Sequence, residues 1–263
     1  MIIYKKQQKQ SKSVRCIMLK NEREREIISL LQEKGFVSTK ELCSVLFASE
    51  SSVRRSLAAL EKQGIVKRIY GGGELIVNRS EPIAFVARAH RNVAEKRIIA
   101  QKAEKLIKDG AVVFLDQSSS AYYLAQEIAN NGSLTVVTNN VDILHLLSNS
   151  RAKVISSGGM LCEGNGACLV GGAAERTFRE IYADILFFSA KSLSEDGVIT
   201  DCSFEEVSTR NAMLQNAATR VFLCDSEKVG NRCAYKQCLL SDVDYLVCDK
   251  DVSDKFANAC KLL

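Results

Sequence analysis

Between Asn21 and Gly64 the apolar residues recur every three or four positions, the spacing of one helix face, and polar start signals cut that pattern into three helices. Ile27, Ile28, Leu30 and Leu31 follow a charged first turn, and Gly35 stands where a C-terminal cap belongs. Ser38-Thr39-Lys40-Glu41 has the form of a capping box, so a second helix begins there with Leu42, Val45 and Leu46 inward. After Phe47-Ala48, Ser49 caps a third helix whose Val53, Leu57 and Leu60 share a face and which stops at Gly64. The period then changes: Ile65 to Tyr70 reads as a strand, Gly71 to Gly73 as a turn, and Glu74 to Val77 as a returning strand. The spacing predicts a helix-turn-helix followed by a β-hairpin wing.

Past the only proline, Pro82, and a charged helix over Val93 to Lys108, strand and helix patterns alternate. Strands are expected at Ala111–Leu115, Leu134–Val137, Lys153–Ile155, Ile185–Phe188, Val221–Cys224 and Tyr245–Cys248, with helices at Ala121–Ala129, Val141–Leu147, Ala173–Ile181, Glu205–Ala217 and Ser253–Cys260. Continuous apolar strands fit a parallel sheet covered on both faces. The fold class is therefore α/β: an N-terminal winged helix-turn-helix over residues 18–77, a linker over 78–92, and a mostly parallel-sheet α/β domain over 93–263 that binds ligand at the carboxyl ends of its strands. Residues 1–17 are expected as a basic extension without fixed structure. No apolar run nears the about 20 residues of a membrane span, and Cys16–Leu19 is too short for a leader's apolar core, so the expected address is the cytoplasm, with no membrane partner.

Charge divides the chain in the same place. Residues 1–80 carry 16 Lys and Arg against 8 Asp and Glu, a balance of +8, while the remainder is −3. A basic front points to nucleic acid, with a solvated basic tail as the plainer alternative. Ser51, Arg55 and Lys62 fall opposite the apolar stripe of the third helix, and Ser52 and Arg54 flank them. Such a small, cationic, donor-bearing face suits a major groove, and Lys67 and Arg68 on the wing suit phosphates. The candidate DNA-binding residues are Ser38, Thr39, Ser49, Ser51, Ser52, Arg54, Arg55, Lys62, Lys67 and Arg68. A generic helical hairpin, or a phosphate-cradling role for Gly71–Gly73, competes with this reading; the glycines lack the Walker frame.

The residues just past the strands share a chemistry. Asp116, Ser118, Ser119 and Ser120 follow the first; Thr138, Asn139 and Asn140 end the second; Gly158 and Gly159 follow the third; Lys191 and Gly197 follow the fourth; and Lys228 follows the fifth. Hydroxyls and free amides at a helix start suit a phosphate, Asp and Asn suit sugar hydroxyls, and lysine supplies the countercharge. Taken singly, the serines could be caps, the asparagines turn residues and Lys228 half of a surface pair. Ten cysteines lie scattered with no C-x-x-C, the nearest pairs being Cys162/Cys168 and Cys233/Cys238, and read as core thiols. His90 and His145 fall in ordinary positions, and the chain lacks zinc spacing, a nucleophile elbow and a complete G-x-G-x-x-G, so neither metal nor cofactor is expected. Asp116, Glu205 and Glu206 could serve as bases, but no feature singles one out.

Val37–Leu42, Ser49–Leu57, Leu60–Arg68 and Gly71–Gly73 together resemble the DeoR-type transcription regulators, whose recognition helix typically reads S-x-x-T-x-R-R-D-L and whose wing ends in H-G-G-A. Ser56 stands at the usual Asp and Tyr70 at the usual His. The likeness runs from about residue 18 over nearly the whole chain. The sensor motif D-x-G-[ST]-T is answered by Asp116, Ser119 and Ser120 with Ser118 at the usual glycine; V-x-T-N-[NS] by Val137–Asn140; a G-G pair by Gly158-Gly159; E-x(6)-M by Glu206 to Met213; and D-x-[ST]-K by Asp225 to Lys228. The resemblance implies a sensor domain related in fold to ribose-5-phosphate isomerase. It further implies a repressor of a carbohydrate-utilisation operon, bound to a double-stranded DNA operator as a homo-oligomer, dimer or tetramer, and released by a phosphorylated sugar or polyol. The competing classes are an isomerase-like enzyme and an effector-independent architectural DNA-binding protein.

Overall fold

Alternation within the apolar strands sorts their side chains onto two faces of one sheet. In β4 (Val112–Leu115), Val113 and Leu115 join one buried cluster and Phe114 the other. The same division holds in β9 (Ala183–Phe188), where Ile185 and Phe187 part from Leu186 and Phe188, and in β12 (Ala217–Cys224), where Val221 and Leu223 part from Phe222 and Cys224. With β5 (Thr135–Thr138), β6 (Lys153–Ser156), β14 (Tyr245–Cys248) and β15 (Lys261–Leu262), these strands form a seven-stranded sheet in the order β15-β14-β12-β9-β4-β5-β6, every pairing parallel. One face packs against α5 (Val93–Glu104), α6 (Ser119–Ile128) and α7 (Val141–Leu147); the other against α8 (Gly172–Glu180), α9 (Phe204–Gln215) and α10 (Ser253–Phe256). This doubly wound arrangement reverses direction between β4 and β9, where the carboxyl ends leave a crevice.

The computed structural model of the chain describes residues 20–34, 36–75 and 85–263. The basic extension over 1–17, the proposed cap Gly35, Ile76-Val77 of the wing and the linker as far as residue 84 lie outside the described residues; within the expected linker, Phe85–His90 instead forms a short helix, α4. The described residues form two compact units, one of residues up to 75 with 86–91, the other of residue 85 with 92–263. All six expected strands of the second unit are present within a few residues of their predicted bounds. Two helices are shorter than expected, one ending at Glu104 instead of Lys108 and the last at Phe256 instead of Cys260. Short antiparallel elements were not anticipated: the hairpin of β7 (Met160–Cys162) and β8 (Asn165–Val170), and the sheet of β10 (Ser192–Leu193), β11 (Val198–Asp201) and β13 (Tyr235–Leu239). β7 and β10 have only three and two residues, too few for a pattern to stand out, while β8 opens on Asn165-Gly166 and β13 is broken by Lys236-Gln237, so neither is an unbroken apolar run.

In the first unit α1 (Lys20–Lys34), α2 (Thr39–Leu46) and α3 (Glu50–Lys62) bury Ile27, Ile28, Leu31, Leu42, Leu46, Val53, Leu57 and Leu60, whereas Val45, expected inward, is exposed. The caps stand where the sequence puts them: Ser38 Oγ accepts from the Glu41 amide at 3.1 Å, and Ser49 Oγ from the Ser52 amide at 3.3 Å. The wing, β2 (Val66–Ile69) and β3 (Gly72–Leu75), has an unexpected third strand, β1 (Phe36–Ser38), paired with β3. That pairing explains Gly72, because a Cβ there would lie 2.2 Å from the Val37 carbonyl oxygen.

Candidate functional site

The outward face of α3 is cationic. Ser51, Arg54, Arg55 and Lys62 are exposed and Ser52 is half-buried, as the helical spacing predicts. Arg54 pairs with Glu50 at 2.6 Å one turn back, and Arg55 Nε reaches the Ser51 carbonyl at 3.4 Å. Both bonds are local and solvent-bathed, and they are weak enough to yield to a stronger acceptor. Ser49, Ser51 and Ser52 share hydroxyl hydrogen bonds of 3.0 to 3.1 Å, so Ser49 and Ser38 are committed first to capping. Thr39 is half-buried, its amide bonded to the Gly71 carbonyl at 2.7 Å.

On the wing, Lys67 and Arg68 are exposed. Arg68 is nonetheless held by Glu61, which accepts its Nε at 2.6 Å and its amide at 3.1 Å and whose carboxyl is kept below the usual range chiefly by that side-chain hydrogen bond. Lys67 lies 3.8 Å from Glu74. Ser56 belongs to the core side of α3: it is 2% exposed and its hydroxyl accepts Arg23 Nε at 3.2 Å. An Asp at this position would neutralise Arg23; the serine leaves its charge beside Ser52 and Arg55, with which it lines a shallow concavity.

In the second unit, Asp116 sits past β4 at the point of reversal, fully buried. One oxygen accepts the Ser118 amide at 3.0 Å; the other accepts the Ser189 amide and Arg210 Nε, both at 3.1 Å. Arg210, on α9, is 1% exposed and also meets Asp201 at 3.2 Å, Glu206 at 3.9 Å and Gln237 at 2.7 Å. Burial alone would lower its pKa, but the Asp201, Asp116 and Glu206 carboxylates outweigh it and hold the guanidinium charged.

From Glu206 a chain of amides crosses the carboxyl edge. Gln117 donates to Glu206 at 2.9 Å, Asn139 to Gln117 at 3.2 Å, and Asn165 to the other Glu206 oxygen at 2.7 Å. Arg210, Gln117 and Asn165 were not singled out in the sequence. A Glu and Arg four apart on a helix look the same in sequence whether solvated or buried, and only the fold distinguishes them.

Serine and asparagine divide between capping and the open edge. Ser118 has φ −77, a conformation any residue adopts, and its hydroxyl caps α6 through the Ala121 amide at 3.0 Å. It therefore does the helix-capping work weighed against a ligand role, and the substitution of the usual glycine is sterically neutral here. Asn140 caps α7 through the Asp142 and Ile143 amides, and Thr138 accepts the Asn140 amide at 3.0 Å. Four buried atoms at this edge have no hydrogen-bond partner among the described residues: Ser120 Oγ, Asn139 Oδ1, Asn140 Nδ2 and Asn165 Oδ1. Unmet polar atoms in a buried place cost about 1–3 kcal/mol each unless something fills them.

Lys228 donates to Ser189 Oγ at 2.7 Å and pairs with Asp225 at 3.3 Å. Ser189 in turn donates to the Leu223 carbonyl. Burial pushes the Asp225 carboxyl up, but Lys228, Lys96 and the Asn92 hydrogen bond together hold it below its usual value. Gly158 and Gly159 follow β6 with φ 65 and 110, and a Cβ on Gly159 would lie 2.6 Å from the Val170 carbonyl, so this pair lets β8 pack closely. The remaining two candidates have different surroundings. Gly197, at φ 79, forms the turn between β10 and β11 and accepts the Leu240 amide at 2.8 Å. Lys191 acts on Cys202, whose thiol is pushed up to about 12 by burial and by Asp201 against the pull of that lysine. Ser119 is buried in the first turn of α6.

A winged helix-turn-helix joined to a parallel α/β unit with a polar crevice at its carboxyl edge defines a DNA-binding regulator with a separate sensing unit. The DeoR-like helix-turn-helix domain model matches residues 23–79 and the DeoR C terminal sensor domain model matches residues 91–250; the chain belongs to the DeoR family of transcription regulators. It is 30% identical to the HTH-type transcriptional regulator GolR of Listeria innocua over 88% of this chain and 91% of that one. It is 31% identical to the lactose phosphotransferase system repressor of Staphylococcus aureus over 90% of this chain and 95% of that protein. Among solved structures, ribose 5-phosphate isomerase A of Methanocaldococcus jannaschii overlays 52% of this chain and 55% of its own with a TM-score of 0.40 at 19% identity, a partial and loose likeness. Among the described residues, no helix is long and apolar enough to cross a membrane.

Proposed function

We propose that this chain is a cytoplasmic repressor of carbohydrate-utilisation genes, bound to its operator as a homo-oligomer and released by a phosphorylated sugar or polyol. The observation that carries the reading is the set of four orphaned buried polar atoms at the sheet's carboxyl edge, beside the starts of α6 and α7. Asn139 Oδ1 and Asn165 Oδ1 ask for donors, as sugar hydroxyls supply, while Asn140 Nδ2 asks for an acceptor. The buried carboxylates around Arg210 outnumber it, so an anion is disfavoured there. A phosphate fits better at the amides opening α6 and α7, with Lys228 as countercharge. Asp116, Ser118, Ser119, Ser120, Thr138, Asn139, Asn140, Gly158, Gly159 and Lys228 are thus assigned to the effector site, and Arg54, Arg55, Lys62 and Lys67 to DNA.

A regulator is favoured over an enzyme. Asp116 already accepts three hydrogen bonds, and Glu206 accepts two beside a guanidinium, which leaves neither as a free base. Release follows from linkage: an effector that binds better to a conformation or assembly fitting DNA poorly lowers operator affinity by that difference. A thermal-shift screen of phosphorylated hexoses, pentoses, ketoses and polyols, paired with footprinting on DNA upstream of the protein's own gene, tests the reading. Lys228→Ala is expected to bind that DNA normally and to lose release by the compound found; retained release removes Lys228 from the site, and absence of any shift defeats the sensing role.

A further inference from the structure

The sequence separates Cys162 from Cys168 by an interval with no known metal or redox spacing, yet the β7–β8 hairpin brings them together. Its register sets Met160 opposite Val170 and Leu161 opposite Leu169, which carries Cys162 toward the position facing Cys168. A bulge follows Leu161 and shifts the backbone pairing of Cys162 to Asn165. Both thiols then share one small buried cluster with Val170, separate from the two cores of the sheet. A side-chain hydrogen bond links the Cys162 and Cys168 thiols, so the two sulfurs need only a short approach to join in a disulfide. Cys162 is 8% exposed and Cys168 fully buried, so a small oxidant reaches the first and not the second.

This pair touches the crevice. Cys168 Sγ accepts Asn139 Nδ2 at 3.6 Å, the Leu169 amide donates to the Asn139 carbonyl at 2.8 Å, and the Leu169 carbonyl accepts Asn139 Nδ2 at 3.0 Å. At the other end of β8, Asn165 holds Glu206. Reactivity differs among the thiols. A hydrogen bond from Cys168 holds the Cys162 thiol below its ordinary value, against burial and the Glu206 charge, while burial pushes Cys202, Cys224, Cys238, Cys248 and Cys260 upward. The thiolate is the form that attacks peroxides and disulfides.

We propose that Cys162 and Cys168 are a modification site, a dithiol that a peroxide converts to a reversible disulfide, and that this bond alters the setting of Asn139 in the crevice. The Cys162 thiolate attacks one peroxide oxygen and breaks the O–O bond, giving a sulfenic acid and one water. The Cys168 sulfur then attacks the Cys162 sulfur and expels its oxygen as a second water. Two thiols and one hydrogen peroxide thus yield one disulfide and two waters, and a dithiol reductant reverses the step. The consequence for sensing rests on the effector-site reading above; the thiol chemistry does not.

The experiment treats the reduced full-length chain with equimolar hydrogen peroxide, then alkylates it in denaturant and maps the thiols. Cys162 and Cys168 lie on one tryptic peptide, 154–176, and both are expected to lose alkylation together and recover it with dithiothreitol, while Cys224, Cys238 and Cys248 remain alkylated. Cys168→Ser is expected to stop at a sulfenic acid on Cys162 that dimedone traps. If Cys162 stays alkylatable, or the buried thiols oxidise first, the site is overturned. Hydrogen exchange at residues 139–140 and 169, compared between the reduced and oxidised chains without effector, reads the coupling. Changed exchange supports the link to Asn139 and unchanged exchange refutes it, whatever the fate of the effector-site reading.

Discussion

The two polar surfaces of this chain solve opposite problems with similar residues. On α3 the arginines stand in water, tied by single local bonds to Glu50 and the Ser51 carbonyl. At the sheet's carboxyl edge Arg210 is sealed among three carboxylates and an amide, each group answered by another. Exposed charges cost little to rearrange, which suits the face we assign to phosphates and base edges. Buried charges are expensive to disturb, which suits a frame that must hold a crevice open with chosen atoms left unmatched.

The largest expected effect breaks the buried side. Arg210→Met strands three carboxylates and should cost about 3–5 kcal/mol in denaturant unfolding, whereas Arg54→Ala on the exposed side should stay within about 0.5 kcal/mol. Similar losses in the two variants would erase the distinction. Next, Arg55→Ala should lose about 1–3 kcal/mol of specific operator affinity in a fluorescence titration while unfolding as the parent does. Unchanged affinity would remove Arg55 from base reading.

Smaller effects sharpen the contrast between cap and ligand group. Ser118→Ala should cost about 1 kcal/mol of stability and Ser118→Gly only a few tenths, because glycine is tolerated at an N-cap. Equal losses would deny the capping role. Last comes acidity. Because Asp225 has its carboxyl pKa lowered in the folded chain, it contributes stability above its ordinary value of 3.8, and that contribution is lost as pH falls through the lower folded value. Unfolding curves of the parent and Asp225→Asn should therefore differ at neutral pH and converge at the acid end; a constant gap would refute the linkage.

Much of this architecture could be read before any coordinates. Periods of 3.6 and unbroken apolar runs are signals that packing itself imposes, so α2, α3 and the six principal strands appear near their expected bounds. The rim was legible as chemistry, because residues following parallel strands must gather at one edge. What stayed hidden was pairing. The sequence gives no sign that Ser56 turns inward to Arg23, that Glu61 holds Arg68, or that Arg210 is buried with Asp116, since each joins residues far apart along the chain or in a form shared with surface pairs. Cys162 and Cys168 read as core thiols for a similar reason: a bulged hairpin and its small buried cluster, not a spacing rule, bring them together.

The strand β1 ends in the residue that caps α2 and lies against β3 of the wing, and the Thr39 amide fastens to the Gly71 carbonyl at 2.7 Å. Main-chain hydrogen bonds therefore couple the start of α2 to the flanking hairpin. If α3 and the wing both meet a duplex, as proposed, peptide geometry sets the offset between their two footprints, and surface substitutions can change what each footprint recognises without changing how far apart they fall.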